Sequence, residues 1–259
     1  ANIVNFGGYE YYVNSIRVRE FSEFNNLLTA YQAGISGNWQ VSPDHELCFQ
    51  IVNNRNGNDE DIYPTGLPEG TAKAKIPFMY TVNWNSYYLD KSLQLRYATA
   101  VGQQTRKRYS YYFTCGNTYE KGPLLTYLDV MYTRQGIDQH GVVSRLPGTP
   151  HTAMNTEYLS IIGDVDYRVH PQWNVYVKGA YETARVYKGN GDFRKGMYRR
   201  SWNAQSSVEF FPFKQLDLFV FVLYTYRGVI LEKAATRMGA IEPDTHRISL
   251  GLVYSIPVF

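Results

Sequence analysis

The sequence predicts an all-β protein, an antiparallel up-and-down transmembrane β-barrel of about 12 strands in this chain. Three observations point there. Hydropathy alternates with a period of two along nearly the whole chain. Many alternating segments run to 10 or more residues, beyond the usual ~5–6 of soluble sheets and close to the ~9–11 that cross a bilayer at a tilt. The connections alternate between short turns and long polar loops.

The elements follow in order. Tyr31, Ala33, Ile35, Gly37, Trp39 and Val41 share one face of the first clear strand, opposite Gln32, Gly34, Ser36, Asn38 and Gln40. Leu47, Phe49 and Ile51 then oppose Cys48 and Gln50, and Phe78, Tyr80, Val82 and Trp84 oppose Thr81, Asn83 and Asn85. Leu93, Leu95, Tyr97, Thr99 and Val101 oppose Gln94, Arg96, Ala98, Ala100 and Gly102. Leu124, Leu128, Val130 and Tyr132 oppose Tyr127, Asp129 and Thr133. Leu159, Ile161, Val165, Tyr167 and Val169 oppose Ser160, Asp164, Asp166 and Arg168. Trp173, Val175, Val177 and Tyr181 oppose Asn174, Lys178 and Glu182, and Ala204, Val208 and Phe210 oppose Arg199, Ser201, Asn203, Gln205, Ser207 and Glu209. Residues 216–227 are apolar on both faces in their middle, so their phase stays ambiguous. The last segment sets Ile248, Leu250, Leu252, Tyr254, Ile256 and Val258 against Arg247, Ser249 and Gly251, with the later odd positions turning apolar. With Cys115 read on a further strand candidate, this makes about eleven strands.

Short turns are expected at Ser42-Pro43-Asp44, Asp90-Lys91-Ser92, Glu120-Lys121-Gly122, Pro171-Gln172 and Lys214-Gln215. Longer polar connections cover residues 54–75, 135–155, 188–197 and 231–244, with residues 106–109 as a short exception among them. In a transmembrane barrel the short turns are periplasmic and the loops extracellular.

Composition narrows the class. The chain has 259 residues, 44% hydrophobic, yet its mean hydropathy is -0.38 and its longest apolar run is LFVFVLY at 218–224. A spanning helix needs about 18 or more apolar residues, so a helical membrane protein is not expected. Aromatics make up 16%, with 24 Tyr, 13 Phe and 4 Trp. Tyr and Trp favour membrane–water interfaces, although a soluble all-β protein can also be rich in Tyr. A net charge of +3 is too small to argue for nucleic acid, and Arg106-Lys107-Arg108 reads as a solvated connection. Cys48 and Cys115 lie on well-separated strands and read as unpaired. The opening ANIVNFGGYE is not a secretory leader, so any leader is expected to have been removed.

Orientation follows from cost. If the polar face of residues 198–210 met lipid, Arg199 and Glu209 would too, and a basic residue near the midplane costs roughly 2–4 kcal/mol. The apolar face is therefore expected to meet lipid and the mixed face a watery lumen. A free sheet edge in hydrocarbon leaves backbone groups unpaired, so the sheet is expected to close. A soluble β-sandwich gives the same alternation with the sense reversed, burying Trp39, Trp84 and Leu252. It does not predict regular alternation of turns and loops.

An odd strand count leaves the strand before residue 30 to be found. Residues 1–6 (ANIVNF) read as the tail of one, which makes residues 1–28 a strand tail plus a long extracellular or constriction loop within a single domain spanning 1–259. GGYEYYVNSIRVREFSEFNN (7–26), AYQAGISGNWQ (30–40) and LCFQIVNNRNG (47–57) resemble the matching region of Bacteroidota porins related to the phosphate-selective porin O and P family. The likeness is looser over the rest of the chain. The resemblance implies the C-terminal part of a roughly 16-stranded barrel, a size that leaves an aqueous channel. Family members end on an in-phase terminal Phe. Here Phe259 is out of phase with Tyr254 and Ile256, and Pro257 intervenes.

The residues expected to line the pore are the cations Arg96, Arg168, Lys178, Arg199, Arg227 and Arg247 and the anions Asp129, Asp164, Asp166, Glu182, Glu209 and Asp217. Arg17 and Arg19 lie on a segment that either folds inward as a constriction loop or covers the mouth with both arginines solvated. Asp164 and Asp166 share a face and could hold a cation or do acid–base work, but in a barrel they pair more often with lumen cations. His45, His140, His151, His170 and His246 are scattered, no GxSxG occurs, and neither catalysis, a metal nor a cofactor is expected.

The expected function is a porin-like channel for passive diffusion of small hydrophilic solutes, with the resemblance implying a preference for anions. The alternative is a non-conducting structural or accessory barrel subunit of a larger assembly. Expected partners are outer-membrane lipid, lipopolysaccharide and small solutes or anions. Association with further copies or other outer-membrane proteins stays open.

Overall fold

A computed structural model describes residues 34–53, 63, 66–75, 78–146, 151–213 and 218–254. The described residues form one 11-stranded antiparallel sheet in which every strand pairs with its sequence neighbours. The strands are β1 (Gly34–Ser42), β2 (His45–Asn53), β3 (Phe78–Tyr88), β4 (Leu93–Thr105), β5 (Arg108–Lys121), β6 (Leu124–Ile137), β7 (Met154–His170), β8 (Trp173–Val186), β9 (Gly196–Phe210), β10 (Leu218–Leu231) and β11 (Thr245–Tyr254). Most exceed ordinary sheet strands, with 17 residues in β7 and 15 in β9. The segments expected at 1–6 and 7–28, with Arg17 and Arg19, lie outside the described residues. So do the Lys214-Gln215 turn, Asp217 and the final residues 255–259.

The two faces of the sheet are the reverse of a soluble protein's. On one face Asp129 is 0% and Lys178 1% exposed. On the other, Ile35 is 80%, Leu250 76% and Trp39 62% exposed. Leu252 is also exposed, and Trp84 on the same face is partly so. A two-layer soluble core would have taken these side chains inward. The polar, buried face is called inner below.

Outer-face aromatics mark two levels. Trp173 packs on Phe210 at 4.6 Å between ring centroids near one end of β8 and β9, and Tyr181 on Trp202 at 5.4 Å near the other. Each pair is directly cross-strand. The eight residue-to-residue steps from Trp202 to Phe210 span about 26 Å along the strand at ~3.3 Å per residue. At a tilt of ~40° that is about 20 Å along the membrane normal, near the ~25 Å apolar band of outer-membrane barrels. One to two outer-face positions beyond the Tyr181–Trp202 level the outer face turns ionic: Glu157 sits 2.6 Å from Arg185 and 3.7 Å from Arg134, and Arg200 pairs with Glu232. Arg134 also lies over the Tyr187 ring at 3.9 Å. Charged side chains belong at that depth, where contact with water and headgroups removes most of their insertion cost.

The phase of β10 is settled by its neighbours. Opposite β9 and β11 it turns Phe221, Leu223, Thr225 and Arg227 inward and Val220, Val222 and Tyr224 outward. Thr225 Oγ1 accepts from Gln205 Nε2 of the inner face at 3.0 Å. Phe221 lies across from Gly251, where a Cβ would come within 2.4 Å of its ring. Neither cysteine is in a disulfide.

The longer connections gather at one end of the sheet. The connection after β2 lays Lys73 against Thr105, and Arg106 N donates to Ala72 O at 2.9 Å. Further round, Val142, Val143 and Ala153 before β7, Phe193 before β9, and Ala235 and Ala240 after β10 bury with Tyr158 and Tyr198 in one apolar cluster. Ala235 belongs to α1 (Lys233–Thr236), a single turn between β10 and β11.

Candidate pore lining

Alternation along each strand carries the candidate residues to the inner face. The structure places Asp129, Asp164, Lys178, Glu182, Arg199 and Glu209 there as buried side chains. Arg96, Asp166, Arg168 and Arg227 are partly exposed, and Arg247, on β11 at the end of the described sheet, is exposed.

They divide into three levels. In the middle, Asp164 and Lys178 stand opposite each other across β7 and β8, and Lys178 is opposite Gln205 of β9. Glu182 accepts from Ser160 Oγ at 2.8 Å and from Asn203 Nδ2 at 3.4 Å. Toward the short-turn end, Asn174 Nδ2 donates to Asp166 at 2.6 Å and to Glu209 at 3.0 Å. There Arg168 turns back on the β7–β8 turn, donating to Pro171 O at 2.9 Å with its guanidinium 3.8 Å from the centre of the Phe211 ring. Toward the loop end, Arg199 and Arg227 both approach Glu242 of the β10–β11 connection, at 3.6 and 2.8 Å. Arg96 stands apart on β4, where it donates to Gln94 Oε1 at 2.6 Å.

Two parts of this lining are not visible in the spacing of residues. The first is Glu242. The second is the connection after β6, whose first residues fold over the inner face. Gln104 of β4 clamps Ile137 by accepting from its N–H at 2.9 Å and donating to its carbonyl at 2.7 Å. Tyr112 of β5 donates to Gln139 Oε1 at 3.1 Å. Fully buried Asp138 holds the turn that follows. Its Oδ2 accepts from Val143 N at 2.9 Å, Ser144 N at 2.6 Å and Ser144 Oγ at 2.6 Å, and its Oδ1 accepts from Tyr158 OH. Burial raises the Asp138 carboxyl above its ordinary value, and these donors oppose that shift. The sequence offered one hint: Ile137, Val142, Val143 and Leu146 are apolar residues inside a stretch otherwise rich in polar residues, Gly and Pro.

Among the described residues no three His, Cys, Asp or Glu side chains converge as a metal site requires. The arrangement is a charged, hydrogen-bonded wall with an inward-folded segment at one end.

The comparisons agree with this geometry. The chain matches the family described as phosphate-selective porin O and P over residues 2–256. Its fold is similar to the outer membrane channel DcaP of Acinetobacter baumannii, with a TM-score of 0.57 and 12% identity over 86% of this chain. It is also similar to a loop L8 deletion mutant of OmpT, an outer membrane protein of Vibrio cholerae, with a TM-score of 0.54 and 11% identity over 95% of this chain. The match covers 62% of the DcaP chain and 69% of the OmpT chain. A comparison with curated proteins returned no match. An apolar outer face between aromatic levels, a charged inner face, and a family match over nearly the whole length lead to one conclusion: the chain belongs to the phosphate-selective porin O and P family, proteins of the bacterial outer membrane.

Proposed function

We propose that this protein is a porin-like channel for passive diffusion of small hydrophilic solutes, with a mild preference for anions. The observation that carries the reading is the inverted sheet, apolar where it is exposed and ionic where it is covered. Thr81, Thr114, Thr133, Ser201 and Ser207 also turn hydroxyls inward that meet no hydrogen-bond partner among the described residues. Dry burial would cost about 1–3 kcal/mol for each, so a hydrated lumen is the environment this face suits. Among the described residues no strand pairs with the far sides of β1 and β11, and hydrocarbon does not tolerate free edges, so the reading includes closure into a single barrel domain. A Bacteroidota source belongs to the same reading, on the resemblance of residues 7–57.

Pore-lining roles go to Arg96, Arg168, Lys178, Arg199, Arg227, Arg247, Asp129, Asp164, Asp166, Glu182 and Glu209. Cations and carboxylates nearly balance in that set, so selectivity is weak and depends on position along the pore. The β6–β7 connection held by Asp138 narrows the loop end.

The test is single-channel conductance in planar bilayers with reversal potentials in a salt gradient. Ohmic channels whose ion preference moves when Arg96, Lys178 and Arg199 are each neutralised are the expected result. A folded protein that inserts and passes no current would favour the accessory-subunit alternative.

A further inference from the structure

Glu242 joins two arginines that lie on different strands and approach it from the inner face. Its Oε1 is 2.8 Å from Nη2 of Arg227, and its Oε2 is 3.6 Å from Nη1 of Arg199. The backbone around it is pinned on both sides. Ala240, two residues earlier, is buried in the apolar cluster with Ala235 and Tyr198. Asp244, two residues later, accepts from Val229 N at 2.8 Å. Pro243 follows directly and restricts the backbone of Glu242 further. The connection therefore delivers this carboxylate to a set place, and side-chain rotation is the freedom left to it.

Two guanidiniums converging on one carboxylate are a carboxylate site, whichever carboxylate fills it. Guanidinium presents its donors in a planar fork that matches a carboxylate's two oxygens. We propose that Arg199 and Arg227 form a carboxylate-binding subsite on the channel wall, with Glu242 as its built-in occupant, displaced by the carboxylate of a passing solute. This deepens the channel reading and rests on it.

The exchange is physically reasonable. Arg227 and Glu242 are only partly buried, so water reaches the pair. Replacing one carboxylate by another leaves no guanidinium unpaired, which avoids the large penalty of a lone buried charge. Because Glu242 is tethered, it competes at an effective concentration on the order of millimolar or higher, and a solute therefore binds weakly. Weak binding suits conduction, since a site must release what it takes in. It also accounts for a mild anion preference: one of the two loop-end arginine charges is offset from within.

The test compares wild type, Glu242→Gln and the double variant Arg227→Gln/Glu242→Gln, with succinate as the probe. Glutamine keeps the shape of the side chain and the course of the loop. In bilayers, Glu242→Gln should let succinate block the chloride current at about tenfold lower concentration, since the tethered competitor is gone. Its reversal potential should move toward anions, and the double variant should lose both gains. Calorimetric titration of succinate into detergent-folded protein reads the same subsite without current: tighter binding to Glu242→Gln, and loss in the double variant. Unchanged succinate binding and unchanged selectivity in Glu242→Gln would overturn the proposal. A wild type that binds succinate more weakly than Glu242→Gln but passes no current would sink the channel reading and leave the subsite standing.

Discussion

Placing an arginine at the midpoint of the outer face tests the membrane assignment most directly. Val177 lies on β8 four residues from Trp173 and four from Tyr181, the two aromatic levels. That is about 13 Å along the strand in either direction, or roughly 10 Å along the normal at a ~40° tilt. Val177 is exposed and faces Val165 and Ser206 across the neighbouring strands, so an arginine there has no carboxylate directly opposite. Arginine at the bilayer midplane costs about 2–4 kcal/mol, and near the interface about 0–1 kcal/mol. Thr183, beyond the Tyr181 level and one step from Arg185, supplies the interfacial comparison. Val177→Arg should therefore cost about 2–3 kcal/mol more than Thr183→Arg, about one and a half to two decades in the folding equilibrium. The assay is reversible guanidinium unfolding of the protein in lipid vesicles, followed by tryptophan fluorescence. On a water-exposed surface both substitutions would fall within about 0.5 kcal/mol of wild type. Two such small and equal effects would refute the placement of this face in lipid.

Further expectations follow from the same geometry. Asp138→Asn keeps one acceptor oxygen for Val143 N and Ser144 N but replaces the oxygen that accepts from Tyr158 OH with an amide NH2, at a cost of about 1–3 kcal/mol. The β6–β7 connection should loosen, which noise and mean conductance in single-channel records would show. Because burial raises the Asp138 carboxyl, the folded protein binds that proton more tightly than the unfolded chain does. This group's contribution to stability therefore falls as pH rises from the ordinary carboxylate range to the raised value, and Asp138→Asn should remove that part of the pH dependence of unfolding. Gly251→Val should drive side-chain atoms into the Phe221 ring and cost about 1–3 kcal/mol, read as a lower yield of the heat-modifiable folded band on gels. In a background with Cys48 and Cys115 changed to serine, a charged thiol reagent should modify Thr225→Cys and reduce conductance. It should leave Val222→Cys untouched, since that position faces lipid. Equal labelling of the two would reverse the phase given to β10.

Much of the fold is legible in the amino-acid sequence. The alternation in residues 159–168 or 198–210 assigns a face to each residue, because side chains on a strand point to opposite sides in strict turn. Asp164, Lys178 and Arg199 therefore reached the inner face as their spacing implies. Where both parities are apolar, as in LFVFVLY, the same rule returns no answer. There the phase came from cross-strand partners: Gln205 bonding Thr225, and the Phe221 ring lying over Gly251.

Local spacing also could not reveal how the connections fold back. Asp138 meets Tyr158, and Glu242 meets Arg199, across stretches of chain that no period relates. Hydropathy by itself determined which face of each clearly alternating strand meets lipid, β10 excepted, because a two-residue repeat is a local property and hydrocarbon punishes an error at every step. Only the tertiary structure decided which segments fold over the inner face and which charges they cancel. Those pairings join residues brought together by the register of several strands at once, and no single strand encodes that register.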